Sequence, residues 1–164
     1  MQPQFSIRPF APGDTPGVVA LILPIQREEY GIAITAQDQP DLSDIPGFYQ
    51  QGGGAFLVAQ AGDSIVGTIA MKAFGPGQMA LRKMFVAAPW RGRDRGVAQA
   101  LLDRLLHLAR AGGVTQVMLG TNDRFRAAHR FYERNGFIPV DADDLPTAFP
   151  RMAVDNHFYN LRLD

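Results

Sequence analysis

Hydrophobic and polar positions alternate from Phe5 to Phe10, the period-two pattern of a strand with one buried face. Asp14 then stands where a helix cap is expected. Pro16 falls in the first turn, where its missing N–H is no loss. Val18, Leu21, Ile22 and Ile25 give that helix an apolar face, and Pro24 predicts a kink or a break. Residues 30–41 lack a period and read as irregular. A short helix is expected from Ser43 or Asp44 to Gln51, closed by the turn Gly52-Gly53-Gly54. Ala55–Gln60 and Ser64–Phe74 read as a hairpin, and Gln78–Val86 as the next strand of a meander.

The pattern then changes period. Val97, Leu101, Leu102, Leu105, Leu106 and Leu108 predict a helix over 96–111, ended by Gly112-Gly113. Val114–Gly120 is a strand, Arg124–Asn135 a helix capped by Asn122 or Asp123 and closed by Gly136, and Phe137–Val140 a strand. A proline-bearing loop leads to a last strand from near Met152 to Leu163. The order β-α-α-β-β-β-α-β-α-β-β predicts an α/β fold. Its central sheet is mixed and mostly antiparallel, with helices on both faces and a parallel β-α-β unit over 81–120. No repeat or second domain appears, so residues 1–164 read as one domain.

Between the strand ending at Val86 and the helix from Gly96 lies Ala87-Ala88-Pro89-Trp90-Arg91-Gly92-Arg93-Asp94-Arg95. A strand, a Gly/Arg loop and a helix N-terminus together make an anion site. Unpaired backbone N–H groups and the positive end of the helix dipole converge where side-chain bulk is small. A phosphate or diphosphate of a cofactor is the expected guest, at the carboxyl end of the strand where open sheets hold ligands.

Composition narrows the chemistry. Lysine plus arginine and aspartate plus glutamate both number 16, so net charge is zero and no nucleic acid or anionic membrane is expected as partner. The chain has no cysteine, which excludes disulfides, thiolate zinc sites and a cysteinyl acyl intermediate. No metal site is read. No run approaches the ~20 apolar residues of a membrane span, so a cytoplasmic protein is expected. A homodimer stays open.

In order and spacing the chain resembles the GCN5-related N-acetyltransferase (GNAT) superfamily. Ala80-Leu81-Arg82-Lys83-Met84-Phe85-Val86 looks like its central strand, and Arg91-Gly92 through Gly96-Val97-Ala98 like its acetyl-CoA diphosphate loop. Leu119-Gly120-Thr121-Asn122 looks like the strand after the cofactor helix. Ala127-Ala128-His129-Arg130-Phe131-Tyr132 through Gly136-Phe137 is similar to the family's A-x-x-x-Y-x-x-x-G-F signature.

The resemblance implies acetyl-CoA as co-substrate. Met84, Phe85 and Val86 would pair with its pantetheine arm, and an N–H of Phe85 or Val86 would polarise the thioester. Arg91, Gly92, Arg93, Arg95, Gly96, Val97 and Ala98 would take the diphosphate, with Asn122 and Ala128 also on the cofactor. Tyr132 would be the acid that protonates the leaving thiolate, since a phenol with pKa near ~10 keeps its proton at neutral pH. Many relatives carry a glutamate where this chain has Ala80, so a base from that position is missing. Glu28 and Glu29, acting through water, or no dedicated base, remain as routes, and His157 is a further candidate. Gln26, Glu28, Glu29 and Tyr30, with 36–41, would shape an acceptor site whose acids and amides suit a cationic amine. The reaction implied is direct transfer to a primary amine of a small molecule or amino acid. A protein N-terminus or lysine as acceptor, and a non-catalytic acyl-CoA module, stay as alternatives.

Overall fold

The computed structural model describes residues 4–123, 125–153 and 155–163. A seven-stranded sheet has the order β1-β2-β3-β4-β5-β7-β6, in which β1 is Ser6–Pro9, β2 Ala55–Ala61, β3 Ser64–Gly75, β4 Gln78–Val86, β5 Gln116–Thr121, β6 Ile138–Val140 and β7 His157–Arg162. β1–β2, β2–β3, β5–β7 and β6–β7 are antiparallel, and β4 runs parallel to β5. The mixed, mostly antiparallel α/β sheet expected from the patterning is therefore present. Contacts divide the chain into two compact units, 1–72 with 82–108 and 73–81 with 109–164.

The first unit holds α1 (Thr15–Pro24), α2 (Pro40–Ser43), α3 (Ile45–Tyr49) and most of α4 (Val97–Ala111). Its core gathers Phe10, Val18, Ile22, Leu42, Ile45, Tyr49, Phe56, Val58 and Ala70. Pro24 does not break the chain. It hands α1 over to a wide π-turn, Ile25–Glu29, closed by the Tyr30 N–H donating to the Ile25 carbonyl at 2.9 Å. A proline has no N–H to continue the α ladder, so the next bonds are taken one residue further on. That wider turn buries Gln26 as well as Ile25. α2 begins at Pro40, inside the stretch read as irregular, because proline serves as a helix's first residue. At the start of α4, Val97 and Leu101 lie against Gly67 of β3, where an added Cβ would stand 2.9 Å from Leu101 Cδ1 and 3.1 Å from Val97 Cγ1. Glycine at 67 lets that first helical turn seat directly on the sheet.

β4 carries a backbone exception. Lys83 has φ +54, a left-handed conformation that costs a side-chain-bearing residue about 1–3 kcal/mol and survives only where surroundings hold it. Its carbonyl is held by the buried Thr68 hydroxyl, which donates at 2.7 Å.

In the second unit, β5 and β7 carry α5 (Arg126–Arg134). Arg124, read as the start of this helix, lies outside the described residues. Phe125 is the N-cap, and its N–H donates to the Asn122 carbonyl at 3.1 Å. β7 starts at His157 rather than near Met152, because Met152 and Asp155 close a turn on each other. Ala80, Met118, Phe149 and Phe158 form a small core here. Among the described residues no helix is long and apolar enough to cross a membrane.

Candidate active site

β4 delivers the first half of the candidate site. Its parallel ladder registers Gln78–Ala80 with Gln116–Met118, and the strand continues from there to Val86. Met84, Phe85 and Val86, at its end, are half-buried. The Ala87 N–H donates to the Val66 carbonyl at 2.8 Å, after which a short 3-10 turn, Ala88–Trp90, starts the loop.

The loop is built on its glycines. Gly92 has φ +103 and Gly96 φ +73, and a Cβ added at either would meet no atom within 4 Å. The backbone is thus left-handed and uncovered at both points, which is the surface a diphosphate needs. The N–H groups of Arg95 and Gly96 both donate to the Gly92 carbonyl, at 3.2 and 3.3 Å. Gly96 therefore closes the loop with its amide, and the donors that helix geometry leaves over begin at Val97 and Ala98. Val97 is fully buried by its side chain, which fixes the direction of those amides. Arg93 is exposed, and Arg95 lies 5.2 Å over the Trp90 ring.

Arg91 points elsewhere. Its Nε donates to the Val86 carbonyl at 2.7 Å, and Nη1 and Nη2 donate to the two carboxylate oxygens of Glu29 at 2.6 and 3.0 Å. The structure thus joins a residue read as phosphate-binding to one read as acceptor-binding. Both side chains are about 40% exposed, so the pair is worth at most ~1 kcal/mol. Glu29→Gln should free Arg91 and tighten acetyl-CoA binding two- to fivefold at low salt, an effect that fades as salt rises. Titration calorimetry at two salt concentrations reads it, and equal affinities would place Arg91 outside the anion site. Tyr30, beside Glu29, packs on Phe85 with ring centres 6.2 Å apart, and burial raises its phenol pKa. Glu28 is exposed.

A buried polar chain fills the same unit. Gln26 and Gln39 exchange amide bonds at 3.0 and 2.9 Å, and Lys83 Nζ donates to Gln39 Oε1 at 2.6 Å. Lys83 also lies 3.4 Å from Asp41 Oδ2, which accepts from the Tyr49 hydroxyl at 2.5 Å. Burial pulls the Lys83 ammonium below the ordinary lysine pKa, and Asp41 opposes that shift. The Tyr49 phenol is raised, chiefly by burial. Sequence reasoning gave no role to Lys83, and it placed Gln26 at the acceptor pocket rather than in the buried core. Gln26 follows Val18 and Ile22 at a four-residue spacing, which already put it on the buried face of the first helix.

In the second unit Tyr132 is 7% exposed, with Phe131, Phe137 and Tyr159 ring centres at 5.7, 5.5 and 5.9 Å. The Asn122 carbonyl holds His129 through Nε2 at 2.8 Å, and His129 stacks on His157 at 4.8 Å. Ala128 is half-buried on α5. Ala80, where a glutamate would have offered a base, is 1% exposed in an apolar cluster.

The chain matches known proteins along most of its length. The acetyltransferase (GNAT) family matches residues 20–137. N-acetylaspartate synthetase of Xenopus tropicalis is 35% identical over 126 residues, 74% of this chain and 46% of that protein, so the chain spans about half the length of such a relative. A GNAT-family acetyltransferase of Staphylococcus aureus Mu50 superposes with TM-score 0.92 at 34% identity, covering 98% of this chain and all of that one. N-acetylglutamate synthase of Neisseria gonorrhoeae, solved with coenzyme A and N-acetyl-glutamate, shares the fold at TM-score 0.74 and 19% identity, over the whole of this chain and 36% of its own. With the glycine loop of 91–98 and the patterning of 80–137 both accounted for, the chain belongs to the GNAT acetyltransferase family.

Proposed function

We propose that this chain is an acetyl-CoA-dependent N-acetyltransferase that moves the acetyl group directly to the primary amine of a small molecule, an amino acid foremost. The observation that carries the reading is the uncovered left-handed backbone at Gly92 and Gly96, running from the end of β4 into the first turn of α4. No side chain of this length could approach a diphosphate as closely as that bare chain can. The relative whose name is N-acetylaspartate synthetase supports an amino acid as acceptor.

In the reaction, the neutral amine nitrogen bonds to the thioester carbonyl carbon, the C–S bond breaks, and the thiolate takes a proton. The end of β4, Met84–Val86, orients the thioester as an added strand, and a main-chain N–H of Phe85 or Val86 bears on its oxygen as charge builds there. Tyr132 gives the thiolate its proton, a role assigned from the motif around it. The 164 residues include no cysteine to carry the acetyl group between substrates, which supports transfer within a ternary complex. Three of the acids that would suit a cationic acceptor have partners of their own. Glu29 is on Arg91, Asp41 is on Lys83 and Tyr49, and Asp38 accepts from the N–H and hydroxyl of Thr35. Within the small-molecule amines, that favours an amino acid over a polycation.

Thiol release from acetyl-CoA, followed across amino acids, polyamines and peptides with free N-termini, tests this. At least one amino acid is expected to be acetylated faster than any polyamine or peptide. Tight acetyl-CoA binding with no turnover on any amine would leave a binding module instead.

A further inference from the structure

The two cations at the middle of β4, buried Lys83 and half-buried Arg82, have no part in the chemistry assigned so far. In a regular strand Arg82 and Lys83 would point to opposite faces. The left-handed φ of Lys83 turns both onto one segment, 39–49. The Arg82 guanidinium lies 5.6 and 5.9 Å from the Phe48 and Tyr49 ring centres, while Lys83 reaches Gln39 and Asp41. Lys72 joins from β3, its Nζ 4.3 Å from the Phe48 ring centre. Of the carboxylates on this segment, Asp41 is buried against Lys83, and Asp44 accepts from the Gly47 N–H at 3.0 Å at the start of α3. Three cations thus face this one segment, Lys72 also donating to the Phe48 carbonyl at 3.0 Å.

The Lys83 ammonium has three donors. Among the described residues it meets Gln39 at 2.6 Å and Asp41 at 3.4 Å, which leaves one. Its side chain is 8% exposed, and half-buried Arg82 beside it is the more open of the two. We infer that Arg82 and Lys83 together bind the α-carboxylate of the acceptor amino acid and so set its specificity, an inference that rests on the amino-acid reading above. The α-amino nitrogen is one carbon away from that carboxylate. Anchored at Lys83, the acceptor presents its nitrogen next to Met84, where the end of β4 holds the thioester. Asp41 and Gln39 keep the ammonium in place between turnovers.

The test compares each amino acid that is turned over with the amine left when its α-carboxylate is removed, such as 4-aminobutyrate for glutamate or phenethylamine for phenylalanine. The ratio of kcat/KM within each pair cancels any general damage to β4. In the wild type the ratio favours the amino acid. In Lys83→Met it should fall about ten- to a hundredfold, the loss of a charge-assisted bond, and mainly through KM of the acceptor. Arg82→Gln should lower it in the same direction, and it decides the matter if Lys83→Met does not fold. An unchanged ratio in a folded variant overturns the inference while amino-acid acetylation itself stands. If other amines are acetylated and no amino acid is, the acceptor reading falls, and this one with it.

Discussion

Gly96→Val should remove acetyl-CoA binding while the protein still folds. At φ +73 a β-branched residue is strained, and the left-handed backbone alone costs ~1–2 kcal/mol. No atom lies within 4 Å of an added Cβ, so no clash compounds that strain in the unliganded chain. The larger loss comes on binding, because the new methyl groups would occupy the approach that the bare chain leaves to a diphosphate. A loss of at least about a hundredfold is expected, roughly 2.7 kcal/mol. Gly113→Val is the matched control. Gly113 has φ +79 and equally open surroundings, but follows the end of α4 rather than preceding its start. Calorimetry should find its affinity near wild type at a similar fall in melting temperature. Equal losses in the two variants would assign the effect to folding, and full affinity in Gly96→Val would move the anion elsewhere.

Tyr132→Phe should lower kcat about 10²- to 10³-fold with little change in KM for acetyl-CoA, the scale on which positioned proton donors act. The substitution keeps the ring and removes only the hydroxyl. Its neighbours Phe131, Phe137 and Tyr159, centred 5.5–5.9 Å away, retain their packing, so any fall in melting temperature reports only what the hydroxyl itself held. Steady-state rates beside a thermal melt separate the two effects. A kcat within twofold of wild type would return Tyr132 to the aromatic core as a packing residue.

The parts that could be read from the chain are those whose cause is local. The apolar spacing in α4 puts Val97, Leu101, Leu102 and Leu105 in the core, all at 0% exposure, although Leu108, counted on the same face, is 37% exposed. Gly113 and Gly136 stop helices because each adopts a left-handed φ. What was not readable depends on partners far away in sequence. Lys83 meets Asp41, and Arg91 meets Glu29, across a separation of 62 residues in the latter case, and no periodicity announces such pairs. The same holds for the Lys83 backbone. A positive φ in a lysine is favoured by nothing in its own chemistry and is sustained by Thr68 and the chain of buried amides.

The π-turn after Pro24 has a consequence for how this stretch can change through descent. It closes over five residues, Ile25–Glu29, where an ordinary helix would close over four. Deleting Arg27 or Glu28 would restore ordinary winding but shorten the spacing between Gln26 and Glu29 by one residue. Gln26 could not then keep its seat opposite Gln39 while Glu29 kept its place beside Arg91. Lineages of this protein should thus tolerate replacements across 25–29 far better than gaps.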